Sequence, residues 1–106
     1  MATTIRRTSP ALAAAVTIDL HGLPAVRITA SDTAAHIVTA QLGDLTTWLT
    51  ARGGYTTRER CAGGITHWTL RTSTEPRGDG STTPVLVHAL ALTHEDVPYE
   101  LVAALA

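Results

Sequence analysis

The stretch Tyr55-Thr56-Thr57-Arg58-Glu59-Arg60-Cys61-Ala62-Gly63-Gly64-Ile65-Thr66-His67-Trp68-Thr69-Leu70-Arg71-Thr72 carries the strongest structural signal in the chain. Two runs rich in Thr, aromatic and β-branched residues flank Ala62-Gly63-Gly64, the pattern of a β-hairpin. Two registers are open to it. A two-residue Gly63-Gly64 turn opposes Ala62 with Ile65, Arg60 with His67 and Arg58 with Thr69. One face then reads Thr56, Arg58, Arg60, His67, Thr69, Arg71, and the other Tyr55, Thr57, Glu59, Cys61, Thr66, Trp68, Leu70. A three-residue turn mixes Arg58 and Arg60 with Trp68 and Leu70. The spacing favours the first register, because a slip of one residue would turn the arginines toward the core. Arg58, Arg60, His67, Thr69 and Arg71 then form a basic interaction face, with Arg52 and Arg77 at its ends.

Upstream of the hairpin, Leu45, Trp48, Leu49 and Arg52 recur at helical spacing, with Asp44 as the expected N-cap and Gly53-Gly54 as the stop. Residues 32–42 are ambiguous. Ser31-Asp32-Thr33 either caps a helix running to Arg52 or turns into a strand over His36–Gln41; the β-branched content and the Gly43-Asp44 stop favour the strand. Val16-Thr17-Ile18-Asp19-Leu20 alternates apolar and polar residues and predicts a strand. His21-Gly22-Leu23-Pro24 turns it into a second alternating run, Ala25 to Ala30. Residues 1–12 have no periodicity and predict a flexible N-terminal arm ahead of one domain over 13–106.

Downstream, Thr74 to Pro84 reads as a polar, mobile loop. Pro84 to Leu92 is apolar on both faces, as in a central strand covered from both sides. Val97 to Leu105 predicts a short helix opened by Pro98 and acidic residues. The element order is β-β-(β)-α-β-β-β-α. That defines an α+β fold with a five- to six-stranded antiparallel or mixed sheet and two helices mainly on one face. The segments around 35–51 and 84–106 share a strand-turn-helix outline without enough identity to be a repeat.

A chain of 106 residues suffices for one domain, and 44% hydrophobic with 16% charged residues marks a packed globule. There is no Phe and no Lys, so Schiff-base chemistry and a phosphate-loop lysine are excluded. The bias to Ala, Thr, Gly and Arg matches coding from a GC-rich bacterial genome, or from a phage or plasmid resident in one. Net charge is −1, but residues 51–77 carry five arginines against Glu59 and Glu75, whereas residues 78–106 carry four carboxylates and no arginine. The lone Cys61 cannot form an internal disulfide, which favours a reducing, cytoplasmic setting. Arg6-Arg7 before Ala11–Val16 is too short an apolar run for an export signal, and no run is long enough to span a bilayer.

Catalytic and cofactor motifs are absent by pattern. The five histidines His21, His36, His67, His88 and His94 form no HxxxH, HExxH or CxxC pairing. His67 and His88 fall on adjacent predicted strands, and His36 on a possible third, so a zinc site would need their convergence. The expectation is no metal. Cys61 and His67 fall on opposite faces of the preferred hairpin, with Cys61 as a small buried residue. Glu59 falls on the apolar face near Trp68. No catalytic residue and no cofactor is assigned. The expected function is that of a small non-enzymatic binding or accessory protein acting on a protein partner or as a homodimer. Tyr99, Leu101, Val102 and Leu105 are candidate contacts of an acidic, apolar tail. Nucleic-acid binding through Arg58, Arg60, His67 and Arg71 is the alternative; a membrane is not expected.

Overall fold

The structure, a computed structural model, describes residues 9–106. Arg6 and Arg7, with most of the expected N-terminal arm, lie outside the described residues. The elements, numbered in chain order, are α1 (Pro10–His21), β1 (Arg27–Ala30), β2 (Ala35–Val38), α2 (Leu42–Arg52), β3 (Tyr55–Cys61), β4 (Ile65–Ser73), β5 (Pro84–Leu92) and α3 (Tyr99–Ala103). This is the α+β class read from the sequence, and the described residues form five strands and three helices instead of two.

The sheet runs in the order β1-β2-β5-β4-β3. β3, β4 and β5 form an antiparallel meander, and β1 and β2 form a hairpin. The two parts meet where β2 pairs parallel with β5. Alternate side chains of β5 point to opposite faces. Val85, Val87, Ala89 and Ala91 are buried together with Ile37, Trp68 and Leu70, against Ala14, Leu45, Trp48 and Leu101 of the helices. The helices therefore share one face of the sheet, and Leu90 and Leu92 are left exposed on the other.

The first expected strand, Val16–Leu20, is instead the second half of α1. Ser9 caps this helix, its Oγ accepting from the Leu12 N–H at 3.1 Å, and Pro10 occupies the first turn. Gly22 ends it in the left-handed conformation at φ 62°. The Ala-rich run from Ala11 to Ala15 supplies helix propensity that a five-residue alternation does not outweigh. Ala13, Ala14 and Thr17 make its buried stripe. The expected arm thus overlaps the helix from Pro10 onward.

The preferred strand at 36–41 is present as β2, one residue earlier and shorter. Asp44 is not the N-cap of α2. Gln41 takes that position, and the Asp44 carboxylate reaches back to accept from the Ala40 and Gln41 N–H groups at 3.1 and 3.3 Å. Trp48 is fully buried, and its Nε1–H donates to the Pro24 carbonyl at 2.8 Å, anchoring the α1–β1 link to α2. The loop after β4 is held at its base: the Thr74 N–H donates to the Thr83 carbonyl and the Thr83 N–H to the Thr74 hydroxyl. Arg52 donates to the Ser73 and Thr74 carbonyls and to Glu75, which also bonds His21. One carboxylate so joins α1, α2 and the loop. Among the described residues no helix is long and apolar enough to cross a membrane.

The hairpin takes the other register. Cys61 opposes Ile65, Arg60 opposes Thr66, Glu59 opposes His67 and Arg58 opposes Trp68, which leaves a three-residue Ala62-Gly63-Gly64 turn. The phase of β3 is set at Thr56. This residue is fully buried under α3, its hydroxyl donating to the Leu101 carbonyl at 2.7 Å. Its N–H and carbonyl pair with Ala104 and Ala106. With Thr56 toward the helices, Arg58 and Arg60 follow on the same side by the strand period. Both remain exposed, because the helix layer ends before that corner.

Candidate functional site on the open sheet face

The uncovered face of the sheet brings together residues from four strands. On β5, His88 lies between Val38 of β2 and Thr69 of β4. His36 stands two residues back on β2, opposite Leu86, and His67 stands opposite Leu90 on β4. The three imidazoles therefore run diagonally across three adjacent strands. His36 Nδ1 lies 3.0 Å from His88 Nε2, and His88 Nδ1 lies 2.9 Å from His67 Nε2. The His36 and His88 rings are nearly parallel, at 8°. The Thr69 hydroxyl lies 3.4 Å from both His67 Nε2 and His88 Nδ1.

A neutral imidazole has one donor and one acceptor nitrogen. Three neutral rings can thus form one continuous hydrogen-bonded row with the protons all pointing the same way along it. The row accepts one further proton without conflict, since a charged ring donates to a neutral neighbour. Charging both end rings would point an N–H at each nitrogen of His88, one of which already carries a proton. Burial of the ring is the largest cause that lowers the His88 pKa from 6.5 to about 4, followed by the neighbouring His67 and His36 and last by Arg71. His88 uses both of its nitrogens within the row, so three lone pairs do not converge on one point. Among the described residues no group of three or more His, Cys, Asp or Glu is placed to hold a metal ion.

The expected interaction face is divided by the observed register. His67, Thr69 and Arg71 lie on the open face, together with Tyr55, Thr57, Glu59 and Cys61. Arg58 and Arg60 lie on the helix-bearing face with Thr66, Trp68 and Leu70, and the Arg58 guanidinium sits 5.6 Å from the Trp68 ring centre. The single basic stripe of Arg58, Arg60, His67, Thr69 and Arg71 is therefore not formed. Glu59 is moved as well: its cross-strand partner is His67, on the opposite side of the sheet from Trp68. Cys61 is exposed, not buried, and shares a face with His67.

The tail candidates also divide. Leu101 is fully buried in the molecule's own core and Leu105 packs against that core, so Leu101 is not free for another subunit. Tyr99 and Val102 are exposed. The sequence reading missed the exposed apolar residues of the open face, Val38, Leu90 and Leu92. Their signal was present in β5, which is apolar at successive positions. The run predicts cover on both faces, and the described residues supply cover on one. Comparison with known protein families, with characterised proteins and with solved structures gives no match to this chain.

Proposed function

We propose that the protein is a non-enzymatic binding module that works by self-association, two copies meeting through the open faces of their sheets. The observation that carries this is β5. Leu90 is 64% exposed and Leu92 49% exposed on the central strand of the sheet. A middle strand with apolar residues on both faces is characteristic of sheets buried on both sides. Among the described residues of one copy only the helix-bearing face is covered, so the pattern asks for a second layer.

A second copy suits this surface for two reasons. The face carries both Glu59 and Arg71, and a two-fold axis midway between them sets the carboxylate of each copy against the guanidinium of the other. Its size is also adequate. Strands ~4.8 Å apart and up to nine residues long give on the order of 600 Å² per copy, near the ~800 Å² per partner of a standard interface. The nucleic-acid alternative rested on one continuous basic stripe, which the hairpin register divides.

Light scattering coupled to size exclusion tests the proposal. The expected result is a dimer mass at tens of micromolar, which Leu90→Glu converts to a monomer with an unchanged far-UV circular dichroism spectrum. A monomer mass at every concentration up to several hundred micromolar would overturn it, as would a dimer that survives Leu90→Glu.

A further inference from the structure

We propose that the pocket at the corner of β3, β4 and the turn between β5 and α3 binds a small phosphate monoester, with Arg58 and Arg60 holding the phosphate. This site lies on the helix-bearing side of β3 and β4, away from the histidine row. The pocket has a volume of about 250 Å³ and is bounded by Arg58, Arg60, Thr66, Trp68, Leu92, Thr93 and Val97.

Three observations point to an anion. The hairpin register places two arginines on the face that otherwise holds Trp68 and Leu70, an arrangement that breaks the polar-out pattern of the strand. Such local conflicts concentrate where a protein has a use for them. Next, the ion pairs among the described residues all involve Glu75, whose partners are His21 and Arg52. Among the described residues neither Arg58 nor Arg60 forms an ion pair with a carboxylate. Arg58 is instead positioned against the Trp68 ring at 5.6 Å, which orients a flat guanidinium over the pocket wall. Finally, Thr66 and Thr93 bring their hydroxyl oxygens to 3.0 Å of each other. One hydroxyl donates to the other, and the accepting hydroxyl keeps a proton to give outward.

The ligand class follows from this donor set. Two guanidiniums match the charge of a phosphate dianion and can each bind two of its oxygens. A hydroxyl donor suits a third oxygen. Trp68 and Val97 give the pocket an apolar side, which fits the carbon end of a monoester better than free phosphate. The volume lies below the ~300 Å³ lower end of pockets for drug-sized ligands, so the organic part must be a few atoms.

Titration of the full-length protein with glycerol 3-phosphate and with inorganic phosphate, followed by tryptophan fluorescence at matched ionic strength, tests the site. The expected result is saturable binding of the monoester, weaker binding of inorganic phosphate, and no effect of chloride. Arg58→Gln plus Arg60→Gln should weaken the monoester by about a hundredfold, and Arg60→Lys by about tenfold, with unchanged circular dichroism in both. Equal binding of monoester and inorganic phosphate would overturn the role given to Trp68 and Val97. The absence of saturation at tens of millimolar, or full binding by the double variant, would overturn the site itself.

Discussion

His88 is where one side chain's chemistry bears most directly on the molecule's behaviour. Its ring is half-buried between two other imidazoles, and its pKa is held at about 4 against an ordinary 6.5. An imidazole with a lowered folded pKa binds its proton more readily in the unfolded chain. Its contribution to stability is therefore complete above pH 6.5 and is lost as pH falls from 6.5 toward about 4. Solvent screening of a ring this exposed reduces the effect to about 1–2 kcal/mol. Urea denaturation at pH 7 and at pH 4.5 should show that loss, and His88→Gln should flatten the curve in that window. Glu75 contributes in the same direction at lower pH: its carboxyl is held below 4.5, chiefly by the hydrogen bond from His21, so its share is lost as pH falls below that value. A wild-type stability that is constant from pH 7 to 4.5 would contradict the continuous neutral row. The three histidines themselves were visible in the sequence, and the possibility that strands bring them together was too. Their diagonal contact was not, because it depends on β2 pairing with β5 across a gap of about fifty residues, which no local pattern encodes.

At the scale of elements, the least legible and most constrained features were the ends. α1 was read as a strand because Val16–Leu20 alternates, while its true markers, Ser9-Pro10 at the start and Gly22 at the stop, flank it on both sides. Removing the cap with Ser9→Ala should cost about 1 kcal/mol, measured by thermal or urea unfolding. The α2–β3 connection is more demanding. Gly54 has φ 111°, and a Cβ there would run into the carbonyl of Arg71 on β4. Gly54→Ala should therefore destabilise by about 2–4 kcal/mol, well above the ~1 kcal/mol expected for an ordinary glycine replacement. A smaller loss would mean that β3 and β4 separate easily at that rung. The hairpin shows the same limit from another direction. The preferred register assumed that every residue on the helix side is buried, whereas α3 covers Thr56 and leaves Arg58 and Arg60 beyond its edge. A strand's pattern records which side each residue faces, and it does not record how far the covering layer extends.

For the whole molecule, the mixed class, the β3–β4 hairpin, the α2 helix and the central place of β5 followed from periodicity, because each rests on contacts between near neighbours or on a strongly apolar run. Helices mainly on one face were expected as well, but the unequal cover that leaves Leu90 and Leu92 exposed was not, since the apolar run of β5 predicts cover on both sides. That inequality connects fold to function. If two copies bury Val38, Leu90 and Leu92 against each other, unfolding must also separate them, and stability becomes a function of concentration. Each tenfold rise in protein concentration should then add about 1.4 kcal/mol per dimer to the free energy of unfolding. Calorimetry over a hundredfold range should show the midpoint rising steadily for the wild-type chain. Leu90→Glu should have a concentration-independent midpoint, because a carboxylate at the centre of the face blocks the association while leaving the core on the other side intact. A midpoint that stays fixed in the wild-type chain would mean that the open face is solvated in the native state, and that the apolar residues of β5 serve folding alone.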